Sequence, residues 1–491
     1  MKNRYLQRAV AFFSLLVFLS GCSTKPIDVP SAVSSEVSEV IGSESESEIV
    51  SEDTSDNSSE STVSTRVSSA KSSSAASKSQ SSQKTSSQSR PVNTGPWKQE
   101  EFYLTTGLVG NILALDLAKD VGMNLIEFGM FGAEHFKEPP YDRCDALGLK
   151  SLIHGQADLS GTGSYLPGRS KSASVNESVI KEATELASRY SNVIGYYAWD
   201  EPDAESIPLL KKQNDLFKKY DPSSLVFYNL IPSYGPLAWD ANNATDSAYL
   251  KYVDDHLKIV NPDVLSLDYY PFAIDPNTTG ANNWYRDMGL FRAKSIEYKK
   301  PFWYYYQAVD LPSNQATNIT EGQIKIGMYT GLVYGAKSLS SWTAVGFMWD
   351  KYGKKLSRYN EGKRINKEIL TVGRYLFDKN SKKIYHTGLP SDGKDYNSLY
   401  YIDNLAQSDL IASATDGLII GIFEDGKTSA KYMLIVNKFF NAKKTGTITL
   451  KSGKSIEKLN TDNGKTETVS ASSNTISYSL EKGSGAVYVI K

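Results

Sequence analysis

Eight short runs of strand-forming residues recur between residues 102 and 342, and segments with helical periodicity separate them. Strands that alternate with helices pair in parallel, because each helix carries the chain back across the sheet. Eight such units favour a closed (β/α)8 TIM barrel over an open doubly wound sheet. The predicted strands are Phe102–Val109, Asn124–Phe128, Lys150–His154, Val193–Trp199, Leu225–Leu230, Val264–Tyr269, Pro301–Tyr306 and Ser338–Trp342.

Glycine-containing segments between these strands do not support the open sheet. Such a sheet ordinarily shows a glycine-rich phosphate-binding turn after its first strand. The segments 107–110 and 161–163 lack that pattern, so we interpret both as loops. Amphipathic helices are predicted at Glu177–Tyr190 and Ile207–Lys219. The Gly- and Ser-rich segment 156–174 is either a loop that covers a ligand or plain disorder.

After about Asn380 the helical periodicity gives way to short alternating runs separated by turn residues. This pattern predicts a β-sandwich over 381–491, following a barrel over 96–380. The fold class is therefore α/β, a TIM barrel followed by a C-terminal β-sandwich whose role is packing. The predicted sandwich strands are Leu418–Phe423, Tyr432–Val436, Gly446–Leu450 and Ala486–Ile490.

The first 22 residues have the pattern of a secretory signal. Basic residues precede an apolar run from Ala9 to Leu19, which is too short to span a bilayer stably. The sequence Leu19-Ser20-Gly21-Cys22 resembles the bacterial lipoprotein signal, which implies lipidation of Cys22. An ordinary cleaved signal and a retained membrane anchor are the alternatives. We expect an extracytoplasmic protein, held at a bacterial cell surface by its lipid anchor.

Residues 23–95 are rich in Ser, with Glu, Thr, Lys and Gln and almost no aromatic residues. Such a segment cannot bury enough apolar surface to offset its ordering entropy. We predict a disordered linker whose function is reach.

Composition excludes several classes of function. The formal net charge of −1 does not suggest a nucleic-acid partner. Cys22 and Cys144 do not form a disulfide framework, and the four His show no ligand spacing. No metal, cofactor or obligate protein partner is predicted. The 31 Tyr suit either an aromatic-lined binding surface or ordinary strand positions.

The fourth predicted strand ends in three acidic residues, Asp200, Glu201 and Asp203, which surround Pro202. Because Pro cannot donate to a sheet ladder, the strand must end at this point. The carboxyl ends of barrel strands are where catalytic groups lie, so we predict Glu201 as a proton donor. The alternative is an acid that stabilises the start of the next helix.

This segment, Trp199-Asp200-Glu201-Pro202, resembles glycoside hydrolase clan A, whose members carry Asn-Glu at the end of that strand. The resemblance covers about residues 98–345 and implies a carbohydrate substrate, with Glu201 as general acid/base. Two departures stand out. Asp200 replaces the Asn, and Gln307 lies where the clan has its nucleophilic Glu.

Three interpretations accommodate Gln307. Asp268, which closes the sixth strand, could activate water or attack directly, with Glu127 as a weaker candidate. Alternatively, Asp200-Glu201 resembles the acid pair of substrate-assisted β-N-acetylhexosaminidases, although the His-Gly-Gly run of that family is missing. In the third interpretation the barrel binds glycans without cleaving them. A structural or adhesive surface protein would need no acids at a strand end.

Other residues near the predicted strand ends are interpreted as substrate contacts. Aromatic rings can stack on sugar rings, and polar side chains can bond to hydroxyl groups, although packing is the alternative for each. The predicted contacts are Asp200, Glu127, His154, Trp199, Tyr270, Trp303, Tyr305, Gln307 and Trp342. The function predicted from the sequence is hydrolysis of O-glycosidic bonds, with Glu201 and Asp268 as catalytic residues.

Overall fold

The structure is a computed structural model of the 491-residue chain. It describes residues 95–107, 109, 112–127, 140–154, 175–235, 246–274, 282–311, 318–388, 401–452, 455–469 and 474–491. The predicted signal with Cys22, the linker up to residue 94 and the Gly-rich segment 156–174 lie outside these residues. Within the described ranges, no helix has the length and apolar character needed to cross a bilayer.

The predicted TIM barrel is confirmed. All eight strands occur where the sequence predicts them, and their ladders are parallel in the order β1-β8-β7-β6-β5-β4-β3-β2. They are β1 (Tyr103–Thr106), β2 (Leu125–Glu127), β3 (Lys150–His154), β4 (Val193–Asp200), β5 (Leu225–Leu230), β6 (Leu265–Asp268), β7 (Phe302–Gln307) and β8 (Ser338–Trp342).

Asn124 closes the sheet between β1 and β2. Its side-chain carbonyl accepts from the Leu104 N–H at 2.9 Å, and its own N–H donates to the Leu104 carbonyl at 3.1 Å. The amide nitrogen of the side chain also donates to the Phe102 carbonyl at 2.9 Å. One side chain thus satisfies backbone groups that a sheet edge would otherwise expose.

Helices follow the strands and form the outer layer. The predicted helices at 177–190 and 207–219 are confirmed, with ends shifted by one or two residues. The helices are α1 (Ala114–Asp120), α2 (Tyr141–Ala146), α3 (Glu177–Ser188), α4 (Ile207–Tyr220), α5 (Asp246–Asp255), α6 (Pro271–Ile274), α7 (Asn282–Tyr298), α8 (Glu321–Val333) and α9 (Tyr359–Leu376).

Apolar and aromatic side chains fill the lower part of the barrel interior. Trp303 near the start of β7 packs edge-on against Tyr103 of β1, with ring centroids 5.7 Å apart. The Trp303 indole N–H donates to the Gln99 side chain at 2.9 Å, so the segment before β1 seals this end. Polar side chains of the interior therefore concentrate at the opposite, carboxyl-terminal edge.

The C-terminal β-sandwich is also confirmed. A three-stranded sheet, β10-β13-β16, packs on a six-stranded sheet, β15-β14-β17-β12-β11-β9, and both are antiparallel. Five of these strands, β9, β10, β14, β15 and β16, were not predicted, and three of the five have only three or four residues. The strands are β9 (Asn380–His386), β10 (Ile411–Ala414), β11 (Leu418–Glu424), β12 (Lys431–Asn437), β13 (Lys444–Leu450), β14 (Ile456–Leu459), β15 (Thr466–Thr468), β16 (Thr475–Leu480) and β17 (Gly485–Ile490).

The sandwich packs directly on the barrel. Helix α8 is buried on every side from Gly322 onward, because it lies between β7 and the six-stranded sheet. Close approach requires glycine: a Cβ at Gly322 would lie 2.0 Å from the Phe440 carbonyl oxygen, and one at Gly331 would lie 2.5 Å from Leu339. The packing role predicted for the sandwich is consistent with this contact.

Candidate active site

The pairing of β4 with β5 is irregular near its end. The register skips Ala198 between Tyr197 and Trp199, as in a β-bulge. One extra residue reverses the faces of the residues that follow it. Tyr197 points into the barrel, whereas Trp199 packs against the helical layer and Asp200 returns to the interior. The bulge therefore determines which acid of this segment faces the site.

Glu201 follows β4 in the left-handed backbone region, with φ of 47°. A non-glycine residue pays about 1–2 kcal/mol for this conformation, so its surroundings must hold it there. Its N–H donates to the Asn229 carbonyl at 2.8 Å, and the Pro202 carbonyl accepts from the Tyr252 hydroxyl at 2.6 Å. These bonds fix the turn and leave Glu201 half-buried at the rim of the barrel.

The carboxyl group of Glu201, just beyond β4, lies close to that of Asp268 at the end of β6. Asp268 is only 3% exposed. Burial raises the pKa of Asp268 well above its ordinary value, and the charges of Glu201 and Asp200 raise it further. Burial and these two neighbouring charges therefore favour the neutral form of Asp268.

Asp200 is oriented by a chain of hydrogen bonds across three strands. Its Oδ1 accepts from the Tyr197 hydroxyl at 2.6 Å and from the Asn229 amide at 3.3 Å. The Ser266 hydroxyl in turn donates to the Asn229 side-chain carbonyl at 2.8 Å. Donors of this kind favour the ionised form of a carboxyl group, so the arrangement suits a fixed negative charge beside the Glu201–Asp268 pair.

Glu127, the last residue of β2, is fully buried in the barrel interior. The Tyr305 hydroxyl of β7 donates to its Oε2, and the Thr105 and Ser340 hydroxyls lie beside it. Burial raises the pKa of Glu127 to about 8, although these donors oppose the shift and the charge of Asp200 adds to it. Glu127 is therefore a neutral acid at pH 7.

Aromatic side chains border the acids. The Tyr270 N–H donates to the Tyr234 hydroxyl at 3.3 Å. Burial raises the pKa of both phenols, and the nearby charge of Asp268 raises each further. Half-buried Trp342 ends β8 against Gly107, where a Cβ would lie 3.0 Å from the indole ring. Tyr270 and Trp342 therefore lie at the edge of the barrel where the sequence predicted them.

Two tryptophans predicted to contact substrate lie away from the acids. Trp199 packs in the apolar layer between the barrel and its helices. Trp303 lies near the amino end of β7, 1% exposed and bonded to Gln99. These positions do not fit the predicted sugar contacts, because neither ring reaches the carboxyl-terminal edge. Tyr305 lies two residues after Trp303 on the same face of β7, and its hydroxyl donates to Glu127 instead.

Gln307 has a structural role in this site. Its side-chain carbonyl accepts from the N–H groups of Phe272 and Ala273, both at 3.1 Å. Its amide nitrogen donates to the Val309 carbonyl at 3.0 Å. The side chain is 2% exposed and holds the first turn of α6, which follows Tyr270. Its position fits support of the rim better than the predicted contact with substrate.

Sequence reasoning missed several residues of this site, and His154 stays a prediction. The backbone of His154 ends β3 beside Tyr197, and its side chain lies outside the described part of the chain. Asn229 was detectable, since it is a polar residue near the end of a predicted strand. Tyr197 and Tyr234 carry no such signal, because a tyrosine in a strand or a loop is ordinary.

The described residues include no group of three or more His, Cys, Asp or Glu side chains placed to hold a metal ion. The acids at the rim instead contact one another, phenols and amides. At the carboxyl-terminal edge of the barrel the arrangement therefore offers two neighbouring acids, Glu201 and Asp268, together with the hydrogen-bonded Asp200 and the neutral buried Glu127.

No family model and no curated protein matches this chain. The solved structures to which this chain is similar include glycoside hydrolases. A family 5 glycoside hydrolase from Bacteroides vulgatus has 14% identity and a TM-score of 0.45, covering 82% of this chain and 92% of its own. A GH30 endoxylanase from Clostridium papyrosolvens has 12% identity and a TM-score of 0.40, covering 82% and 99%.

An alpha-amylase from Geobacillus thermoleovorans, complexed with acarbose, has 8% identity and a TM-score of 0.45, covering 80% of this chain and 99% of its own. The identities of these proteins to this chain are low, so the function has to be argued from the residues at its own barrel edge.

Proposed function

We propose that this chain is a glycoside hydrolase, with Glu201 as general acid/base and Asp268 as the second carboxylate. The observation that carries the proposal is the closeness of Glu201 and Asp268 at the carboxyl-terminal edge of a parallel barrel, where burial and the charges of Glu201 and Asp200 raise the pKa of Asp268. Cleavage of a glycosidic bond requires one protonated and one ionised carboxyl group on opposite sides of the scissile bond. Tyr270 and Tyr234 beside the pair supply aromatic surface for a sugar ring.

The contact between the two carboxyl groups favours a retaining mechanism. Inverting enzymes hold their carboxyl groups about 6.5–9.5 Å apart to admit a water, whereas retaining enzymes hold them about 5–5.5 Å apart. The closeness of Glu201 and Asp268 is nearer to the retaining separation than to the inverting one. We propose that Asp268 attacks the anomeric carbon directly, which supplies the nucleophile that Gln307 cannot provide.

When substrate is bound, the proton on Asp268 can pass to Glu201. In the free chain, burial favours the protonated form of Asp268. Positive charge develops on the sugar during cleavage, and it stabilises the ionised form of a carboxylate beside it. The proton then passes from Asp268 to the neighbouring Glu201, which delivers it to the leaving oxygen.

A panel of aryl glycosides tests the proposal, with the first-formed anomer identified by proton NMR. We expect hydrolysis with retained configuration. An inverted product would make Asp268 the base that activates water. Activity confined to 2-acetamido sugars would favour substrate assistance by Asp200 and Glu201. Oligosaccharide binding without hydrolysis across the panel would instead indicate a glycan-binding barrel and contradict the enzyme.

We also propose that Cys22 is lipidated and that the lipid holds the enzyme at the outer side of a bacterial membrane. The sequence from Leu19 to Cys22 supports this. A Cys22→Ala chain should leave the membrane fraction and appear in the soluble fraction, whereas a Cys144→Ala chain should stay with the membrane. Equal membrane retention of both variants would contradict lipidation at Cys22.

A further inference from the structure

A basic groove lies at the amino-terminal edge of the barrel, on the opposite side from Glu201. Its volume is about 840 Å³. Residues that precede β6, β7 and β8 line it, together with the segment before β1, helix α7 and strand β9. Its cations come from four separate elements, and they include Lys98, Arg292, Lys299, Lys300 and Lys382.

Arg292 of α7 is the buried member of this groove, at 7% exposure. Its Nε donates to the Ser381 hydroxyl at 2.8 Å, and its two terminal nitrogens make no hydrogen bond to any described residue. The Asp403 carboxylate acts on Arg292 from a distance and is itself bonded to Lys383 at 2.9 Å. A buried guanidinium ordinarily has a paired carboxylate, because removing its charge from water is costly.

The acid that lines the groove does not neutralise these cations. Asp263 accepts from the Lys218 ammonium at 2.6 Å and from the Val226 N–H at 2.7 Å, through the same oxygen. Lys382 is paired with Glu424 at 3.8 Å, whereas Lys98, Lys299 and Lys300 form no ion pair within the described ranges of the chain. The groove therefore presents an excess of positive charge around one buried guanidinium with free donors.

We infer that this groove binds a ligand that carries several phosphate groups in a chain. The guanidinium fork matches the geometry of a phosphate, which accepts two parallel hydrogen bonds from it. One phosphate can satisfy Arg292 alone, whereas the lysines on the N-terminal segment and on the turn before β7 require further negative charges along the groove. This inference does not rest on the proposed hydrolysis, because the two sites lie at opposite edges of the barrel.

Isothermal titration calorimetry with tripolyphosphate tests the inference on the full chain. We expect saturable binding that weakens as salt concentration rises, and weaker binding of orthophosphate. Binding to phosphatidylglycerol vesicles without binding of tripolyphosphate would overturn the inference in favour of a membrane surface. Citrate that binds as tightly as tripolyphosphate would overturn the preference for phosphate.

Arg292→Lys keeps the charge and removes the planar fork, so affinity for tripolyphosphate should fall about tenfold or more. Arg189→Lys, at the exposed end of α3, should bind as the wild type does. Lys299 has φ of 54°, which Asn tolerates, so Lys299→Asn should fold normally and bind a few-fold more weakly. Unchanged affinity in both groove variants, with wild-type thermal unfolding, would overturn the site.

Discussion

Glu201→Gln should lower kcat for glycosides with poor leaving groups by a factor of about 10²–10⁴. Gln preserves the size of the side chain and removes the proton that the leaving oxygen needs. The loss should shrink for glycosides of strongly acidic phenols, because such leaving groups depart without protonation. Steady-state kinetics across a series of leaving groups measures this dependence.

The variant Asp268→Asn distinguishes the role of nucleophile, proposed for Asp268, from the role of general acid, proposed for Glu201. A nucleophile is needed whatever the leaving group, so this variant should lose activity evenly across the series. Glu205→Gln is a matched control, since Glu205 is exposed in the turn that follows Glu201. An even loss in Glu201→Gln would exchange the roles of the two acids, and full activity in that variant would refute the assignment.

The fold was predictable because its signals are local. Each barrel strand is a short run of β-formers, and each confirmed helix has apolar residues at helical spacing. The fully buried helix α8 is the exception. It carries apolar residues on every side, with Gly322, Gly327 and Gly331 spaced along it, and such a pattern cannot be distinguished from a strand-rich core by periodicity alone.

The site was predictable only where position along a strand decides the chemistry. Glu127, Glu201 and Asp268 lie at strand ends in the sequence, and the structure gathers them at one edge of the barrel. Trp199 was misplaced because strict alternation puts it on the face of Tyr197. The skipped register at Ala198 reverses that face, and no residue pattern in β4 announces it.

Two further features depend on contacts between distant segments. Trp303 and Gln307 share one face of β7, as alternation predicts, but the strand is long enough for them to reach opposite ends of the barrel. Gln99 bonds to Trp303, whereas Gln307 bonds to the backbone around α6. These partners are fixed by the closed barrel, so the sequence alone could not assign either role.

Glu127→Gln should make the protein more stable than the wild type at pH 8, with little difference near pH 4. The carboxyl group has its ordinary pKa of 4.5 when unfolded and a pKa of about 8 when folded, because burial favours the neutral form. Its contribution to stability is therefore complete below pH 4.5 and is lost as pH rises towards 8. Within that window the wild type should lose about 1.4 kcal/mol per pH unit through this group.

Urea unfolding at several pH values between 4 and 8 measures the difference. Gln resembles the protonated acid, since its carbonyl can accept from Tyr305 and its amide can donate to the nearby hydroxyls of Thr105 and Ser340. Asp268 and Asp287 also have raised pKa values, but both proteins contain them, so their effect cancels. Glu185→Gln, at an exposed position of α3, should keep the wild-type slope.

The same ionisation should limit activity at alkaline pH. A charged Glu127 would place a second carboxylate near Asp200, which already lies beside the Glu201–Asp268 pair. That added negative charge would strengthen the hold of Glu127 on the Tyr305 hydroxyl. It would also make ionisation of Glu201 and Asp268 less favourable. Glu127→Gln should therefore retain hydrolysis above pH 8, where the wild type declines. Identical pH profiles of stability and rate in the two proteins would show that Glu127 is not the neutral acid inferred from its burial.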